Sequence, residues 1–176
     1  MKQLLILSFA ILFILPIFAQ DETIEIVEQS TKTTTYYFIR HAEKDRSDVN
    51  NKNPNLIQEG ILRAAKWSLV LDNIKFDAVY STNYNRTKQT AQPTAEKNGL
   101  DITIYNPRNF YSEDFINNTK GKTVLVVGHS NTTPQFVNAV LGQKKYLSID
   151  DSNNANLYIV TISATGEKSD ILLVIE

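Results

Sequence analysis

Residues 122–132 read KTVLVVGHSNT. The run Lys122–Val127 is almost continuously apolar and rich in β-branched residues, as expected of a strand covered on both faces near the centre of a parallel sheet. It stops at Gly128-His129-Ser130-Asn131, and Pro134 then opens a helix to about Leu141, with Thr133 as its cap. Strand, short polar turn and helix together form the unit from which α/β sheets are wound.

The same alternation continues on either side. Thr35–Ile39 (TYYFI) reads as a strand running into Arg40-His41-Ala42-Glu43-Lys44. Asn55–Asn73 carries Leu56, Ile57, Ile61, Leu62, Ala65, Leu69 and Val70 at helical spacing, which predicts an amphipathic helix with those residues inward. Asp77–Ser81 is a strand, and Tyr84–Lys97 a helix stopped by Asn98-Gly99. Ile102–Tyr105 is a strand and Ser112–Asn118 a short helix. After a polar loop at Asp150–Asn156, Leu157–Ser163 and Ser169–Ile175 flank Thr165-Gly166-Glu167 as a hairpin. Residues 35–176 therefore form one α/β domain, its sheet mostly parallel with an antiparallel edge.

Composition narrows the function classes. The chain has 176 residues, of which 42% are hydrophobic and 21% charged, which excludes a disordered or low-complexity protein. A net charge of -1 argues against a generic nucleic-acid binder, which needs surplus positive charge to displace counterions. There is no cysteine, so disulfides, thiol catalysis and thiolate metal sites are excluded. Residues 1–20 (MKQLLILSFAILFILPIFAQ) combine one Lys, a short apolar run and a small residue at its end, the pattern of a secretory signal peptide cleaved after Ala19 or Gln20. About 16 apolar residues interrupted by Pro16 fall short of the ~20 that span a bilayer, so no stable membrane insertion is expected after cleavage. Residues 21–34 read as a polar leading segment, and the mature chain as periplasmic or secreted.

The chemistry gathers at strand ends, where ligands of open α/β sheets bind. His41 and His129 are the chain's two histidines, and each follows a predicted central strand. Arg40 precedes the first. Arg86 lies in the first turn of its helix, where a cation opposes the helix dipole, so a bound anion is the better reason for its place. Gln89 and Thr90 read as packing residues. Two guanidiniums and two imidazoles make a small cationic pocket, and N–H groups at Ser130 and Asn131 add an anion-binding turn ahead of the helix. A neutral imidazole can attack phosphorus to give a phosphohistidine. Four basic groups supply the charge neutralisation such a transfer needs, so neither metal nor cofactor is required.

The motifs carry a family likeness. Tyr37–Glu43 (YFIRHAE) resembles the RHG signature of the histidine phosphatase (phosphoglycerate mutase-like) superfamily, in a smaller exported "RHAE" form. Leu56–Ala64 (LIQEGILRA) is similar to its L-T-x-x-G-x-x-Q-A helix. Ser81–Ala91 (STNYNRTKQTA) is similar to its S-S-x-x-x-R-x-x-Q-T-A element, and Val127–Ser130 (VGHS) to the segment with the second catalytic histidine. The likeness spans about residues 36–163. It implies a three-layer sandwich and a phosphomonoester or phosphoramidate hydrolase. His41 would be the nucleophile, Arg40, Arg86, His129 and Ser130 would hold the phosphoryl group, and water would release inorganic phosphate. The implied partner is a small phosphorylated substrate.

Three departures stand out. Ala42 replaces the usual glycine, Asn131 stands where one branch of the superfamily carries an acid after His129, and the other branch's glutamate has no match beyond Tyr105. The general acid is thus unassigned among Glu43, Glu113 and Asp114, or missing. The alternative function is a catalytically weak module of the same fold that binds phosphate ligands. A serine hydrolase on Ser130 fails because Thr132 replaces the elbow glycine and the chain order is reversed. A zinc hydrolase lacks H-E-x-x-H, and a 2H phosphoesterase lacks H-x-[ST] at His41.

Overall fold

The computed structural model describes residues 32–176. The signal peptide expected at residues 1–20 and most of the expected leading segment, 21–34, lie outside the described residues. The elements are β1 (Thr34–Arg40), α1 (Gln58–Val70), β2 (Ala78–Ser81), α2 (Asn85–Asn98), β3 (Ile102–Ile104), α3 (Glu113–Thr119), β4 (Thr123–Gly128), α4 (Thr132–Leu141), β5 (Asn156–Ile162) and β6 (Lys168–Val174). They make one six-stranded sheet in the order β3-β2-β4-β1-β5-β6. β1 to β4 run parallel, while β5 and β6 add the expected antiparallel edge.

Strand alternation divides the core into two layers. Tyr36, Phe38, Tyr80, Val124, Val126, Tyr158 and Val160 face α3 and α4, where they meet Phe115, Phe136, Val137 and Val140. Ile39, Val79, Leu125, Val127 and Leu157 face α1 and α2, against Trp67, Leu71, Ala91 and Ala95. The sandwich therefore has three layers, with β4 and β1 at its centre covered on both sides. Their side chains from Val124 to Val127, and Phe38 and Ile39, are at most 1% exposed, which accounts for the unbroken apolar run in β4.

Two local expectations are corrected. α4 begins at Thr132 with Asn131 as its cap, so Pro134 falls in the third helical position and Thr133 is not the cap. The buried Thr133 hydroxyl instead donates to the Ile39 carbonyl at 3.4 Å. α1 begins at Gln58, three residues late, because Asn55–Ile57 pair as extended chain with the segment after β1: Asp45 N–H donates to Asn55 O (2.8 Å) and Ile57 N–H to Glu43 O (3.0 Å).

The inward face of α1 is also not the one its apolar periodicity predicts. Ile57, Ile61, Leu62, Ala65, Leu69 and Val70 are exposed, and the buried positions are Gly60, Ala64 and Trp67, continued by Leu71 beyond the helix. Close packing decided this. A Cβ on Gly60 would stand 2.1 Å from the Glu43 carbonyl oxygen, so only glycine lets the helix rest on the backbone that follows the nucleophile candidate. The Ala42 methyl fills a small apolar cluster with Leu56 and Ala64, so the departure from glycine there is absorbed by packing.

Gly60→Ala should force the 42–45 segment away from α1 and cost about 1–3 kcal/mol by overpacking. Denaturant unfolding of the two proteins measures it, and a loss below ~0.5 kcal/mol would mean that the contact is easily relaxed.

Candidate active site

The register of the two central strands assembles the site. Arg40 pairs with Gly128 across β1 and β4, and His41 N–H donates to the Gly128 carbonyl at 2.9 Å. The residues that follow each strand are therefore neighbours, and the His41 and His129 rings lie 5.5 Å apart at 67°. β2, on the other side of β4, delivers Thr82 to His129 and sets α2 so that Arg86 points to the same place. Arg40, His41, Lys44, Tyr84, Arg86, Pro107, Arg108, Ser130 and Asp151 are among the residues around one cavity of about 380 Å³, which His129 also lines.

Each imidazole is fixed by one nitrogen. His41 is 4% exposed, and its Nδ1–H donates to the Ala42 carbonyl at 2.8 Å, leaving Nε2 without a described partner. His129 Nε2 lies 2.9 Å from Thr82 Oγ1, which in turn is 3.0 Å from Thr87 Oγ1. The Thr87 hydroxyl donates to the Thr82 or Tyr84 carbonyl, both at 2.9 Å. With that proton spent, Thr82 donates to Thr87 and accepts from His129, which puts the His129 proton on Nε2.

Burial, helped by the nearby cations, keeps both rings neutral. Desolvation, then Arg40, His129 and Arg86, bring His41 down to about 3 against the Ala42 hydrogen bond. Burial, then Arg86, Arg40 and Lys44, bring His129 down to about 4.

The two arginines differ. Arg86 lies over the Tyr84 ring at 4.4 Å, and Tyr84 meets His129 edge-on with centroids 5.1 Å apart, so an aromatic wall supports both groups. Arg40 is 2% exposed. Its Nη1 donates to the carbonyls of Asp150 (2.8 Å) and Asn153 (2.9 Å), and its Nη2 pairs with Asp151 at 2.5 Å. Among the described residues, the Nε atoms of both arginines are buried donors without a partner. Such orphans are costly in a finished core and ordinary in a site that receives an acceptor.

The sequence-predicted residues His41, His129, Arg40, Arg86 and Ser130 thus share one cavity. Gln89 and Thr90 hold the frame, as expected: Thr90 Oγ1 accepts from Ala42 N–H at 2.9 Å and Gln89 Oε1 from Leu56 N–H at 2.8 Å. Glu43 is drawn away to Arg63, 2.6 Å from its Nε. Glu113 and Asp114 are exposed in the first turn of α3 and do not line the cavity; Asp114 lines a different cleft, beside Tyr80 and Ser112.

Two cavity residues, Tyr84 and Asp151, escaped sequence reasoning. For Asp151 a signal existed. An antiparallel β5 beside β1 must bring the loop before it, with its Asp150-Asp151 pair, to the carboxyl end of β1.

The family model "Histidine phosphatase superfamily (branch 1)" matches residues 36–106, a stretch from within β1 to just beyond β3 that includes Arg40 and Arg86. Among solved structures, the protein histidine phosphatase SixA complexed with tungstate is similar at TM-score 0.62 and 14% identity, covering 80% of this chain and 96% of that one. Phosphoglycerate mutase from Bacillus anthracis aligns at TM-score 0.61 and 15% identity over 83% of this chain and 95% of its own. Phosphoserine phosphatase from Entamoeba histolytica, in complex with phosphoserine, aligns at 0.57 and 14% over 78% and 94%. At these identities the likeness establishes the phosphoglycerate mutase-like fold. No curated protein sequence matches the chain.

Both histidines should stay neutral well below the ordinary imidazole pKa of about 6.5. NMR titration of the ligand-free protein should show neither ring protonated at pH 5.5. A histidine whose folded pKa is depressed binds its proton more readily unfolded, so stability should be complete above about pH 6.5 and fall as pH drops toward 4 and then 3. A thermal midpoint unchanged between pH 7 and 5 would contradict this.

Proposed function

We propose that this chain is a metal-independent phosphatase working through a covalent phosphohistidine at His41. The observation that carries the reading is the pairing, in one cavity, of a neutral imidazole whose free lone pair is on Nε2 with the guanidinium side chains of Arg40 and Arg86. His41 Nε2 attacks phosphorus, the P–O or P–N bond to the leaving group breaks with its electron pair, and a phosphoryl group remains on His41. Arg86, Arg40 and the Ser130 turn hold its oxygens. Water then attacks phosphorus, the P–N bond to His41 breaks, and inorganic phosphate leaves.

His129 gains a role as the site fills. Coulombic repulsion from Arg86, Arg40 and Lys44 adds to burial in depressing its pKa, and a phosphoryl dianion offsets that repulsion. Binding of the ligand therefore favours an imidazolium at His129, with a second N–H for the transferring group. A Michaelis complex that creates its own cation needs no metal.

The leaving group has little help from carboxylic acids. Glu43 is paired with Arg63, Glu113 and Asp114 are outside the cavity, and Asp151 is held ionised, its pKa lowered to about 2, mainly by Arg46 and Arg40. The reading therefore favours substrates whose leaving group is weakly basic or carries its own proton: aryl or acyl phosphates and phosphoramidates. Residues 1–20 support the further proposal that the enzyme works outside the cytoplasm, where such small phosphorylated compounds would be its partners.

Phosphate release from p-nitrophenyl phosphate and from phosphoramidate should be readily measured and fall at least about a thousandfold in His41→Ala. Simple alkyl phosphates should turn over far more slowly than either. Reactions quenched in alkali should trap an alkali-stable, acid-labile phosphoenzyme in the wild type alone. Phosphate binding without release from any of these substrates would instead favour the phosphate-binding module, the reading that the lack of a carboxylic acid free to protonate the leaving group supports.

A further inference from the structure

The carboxylate at the cavity stands where an anion is wanted. Asp151 Oδ1 pairs with Arg40 Nη2 at 2.5 Å and Asp151 Oδ2 with Arg46 Nη1 at 2.7 Å. It is the one acidic residue among those that line the cavity with His41 and His129. Its side chain is 64% exposed, while that of Arg40 is 2% exposed. A carboxylate that served to position Arg40 would be redundant. The same guanidinium is already held through Nη1 by two backbone carbonyls, and its stem is buried beside the central strands. Asp151 also closes a strap from the 150s loop to Arg46. The adjoining cleft on the far side of that strap shares His41, Lys44 and Asp151 with the phosphate cavity.

We propose that Asp151 is an internal competitor for the phosphoryl seat: its carboxylate occupies the open edge of the Arg40 guanidinium, an incoming phosphoryl group displaces it, and it returns as phosphate leaves. This rests on the phosphatase reading and deepens it, since it makes Asp151 the residue that sets affinity for the phosphoryl group. Charge explains the use. Arg40, Lys44, Arg86 and Arg108 line the cavity, and with nothing to replace a departing dianion they would retain it. A tethered carboxylate that takes over one arginine lowers the cost of release. Displacement moves no proton and makes or breaks no covalent bond.

The test compares wild type, Asp151→Asn and Asp150→Asn. Asp150 is the fitting control because its substitution changes net charge equally, yet its carboxylate bonds to Ser152 and does not line the cavity. Dissociation constants for inorganic phosphate and tungstate are measured by calorimetry, alongside KM and kcat for p-nitrophenyl phosphate. In Asp151→Asn, both anions should bind about tenfold tighter, a difference of about 1.4 kcal/mol. KM should fall, kcat should not rise, and Asp150→Asn should match the wild type.

Equal or weaker anion binding in a folded Asp151→Asn, or the same gain in Asp150→Asn, would overturn the proposal while leaving the phosphatase reading intact. Absence of anion binding in both wild type and Asp151→Asn would overturn both. Should Asp151→Asn lose its cooperative unfolding transition, Asp151→Ser takes its place under the same criteria.

Discussion

The structure depends on the parallel pairing of β1 with β4. That ladder sets Arg40 opposite Gly128, continues through the hydrogen bond from His41 N–H to the Gly128 carbonyl, and so delivers two imidazoles to one point without any direct bond between them. Space is tight where β4 ends. A Cβ on Gly128 would meet Thr133 Oγ1 at 2.7 Å and the Tyr105 hydroxyl at 2.9 Å, so α4 and the loop after β3 both close in on that glycine. A one-residue slip in either strand would turn its side chains to the other face and separate the rings. Catalytic geometry and core packing are therefore the same constraint.

Burial at that edge then sets the chemistry. The central strands exclude water from His41 and most of His129, and desolvation is the largest cause of both lowered pKa values. A more exposed site with the same four basic residues would hold its imidazoles closer to their ordinary titration range and offer a weaker fraction of nucleophile in mildly acidic solution. Hydrogen bonds refine what burial begins. The Ala42 carbonyl fixes one tautomer, and the Thr82–Thr87 chain fixes the other.

Much of this was legible in the sequence because it is written in strand-scale patterns. The apolar run of β4, the short β-forming stretch of β1 and the Gly-Glu hairpin turn each report a local fact that the sheet preserves, and the polar residues placed just after strands mark the site edge. The face of α1 was not legible. Its large apolar residues have the right spacing, yet the small residues Gly60 and Ala64 face inward because a close backbone approach outweighs the burial of Ile61 and Leu62. Periodicity cannot weigh those two terms. Asp151 was missed for another reason. It comes from a loop whose direction is set by which strands are neighbours, and it reaches the cavity because β5 turns back along β1 instead of joining the parallel set.

The empty and filled states of the cavity differ in charge more than in shape. Without ligand, Arg40, Lys44, Arg86 and Arg108 are offset within the lining by Asp151, and burial first, then repulsion from the cations, keeps both imidazoles neutral. A dianion reverses that condition. It makes an imidazolium at His129 favourable and competes with Asp151 for Arg40. On the proposed mechanism His41 stays unprotonated on Nε2 to attack, and burial is the largest cause holding its pKa down. Two histidines at one edge of the sheet would thereby be divided into nucleophile and cation by their different hydrogen-bond partners, with the ligand's own charge completing the separation.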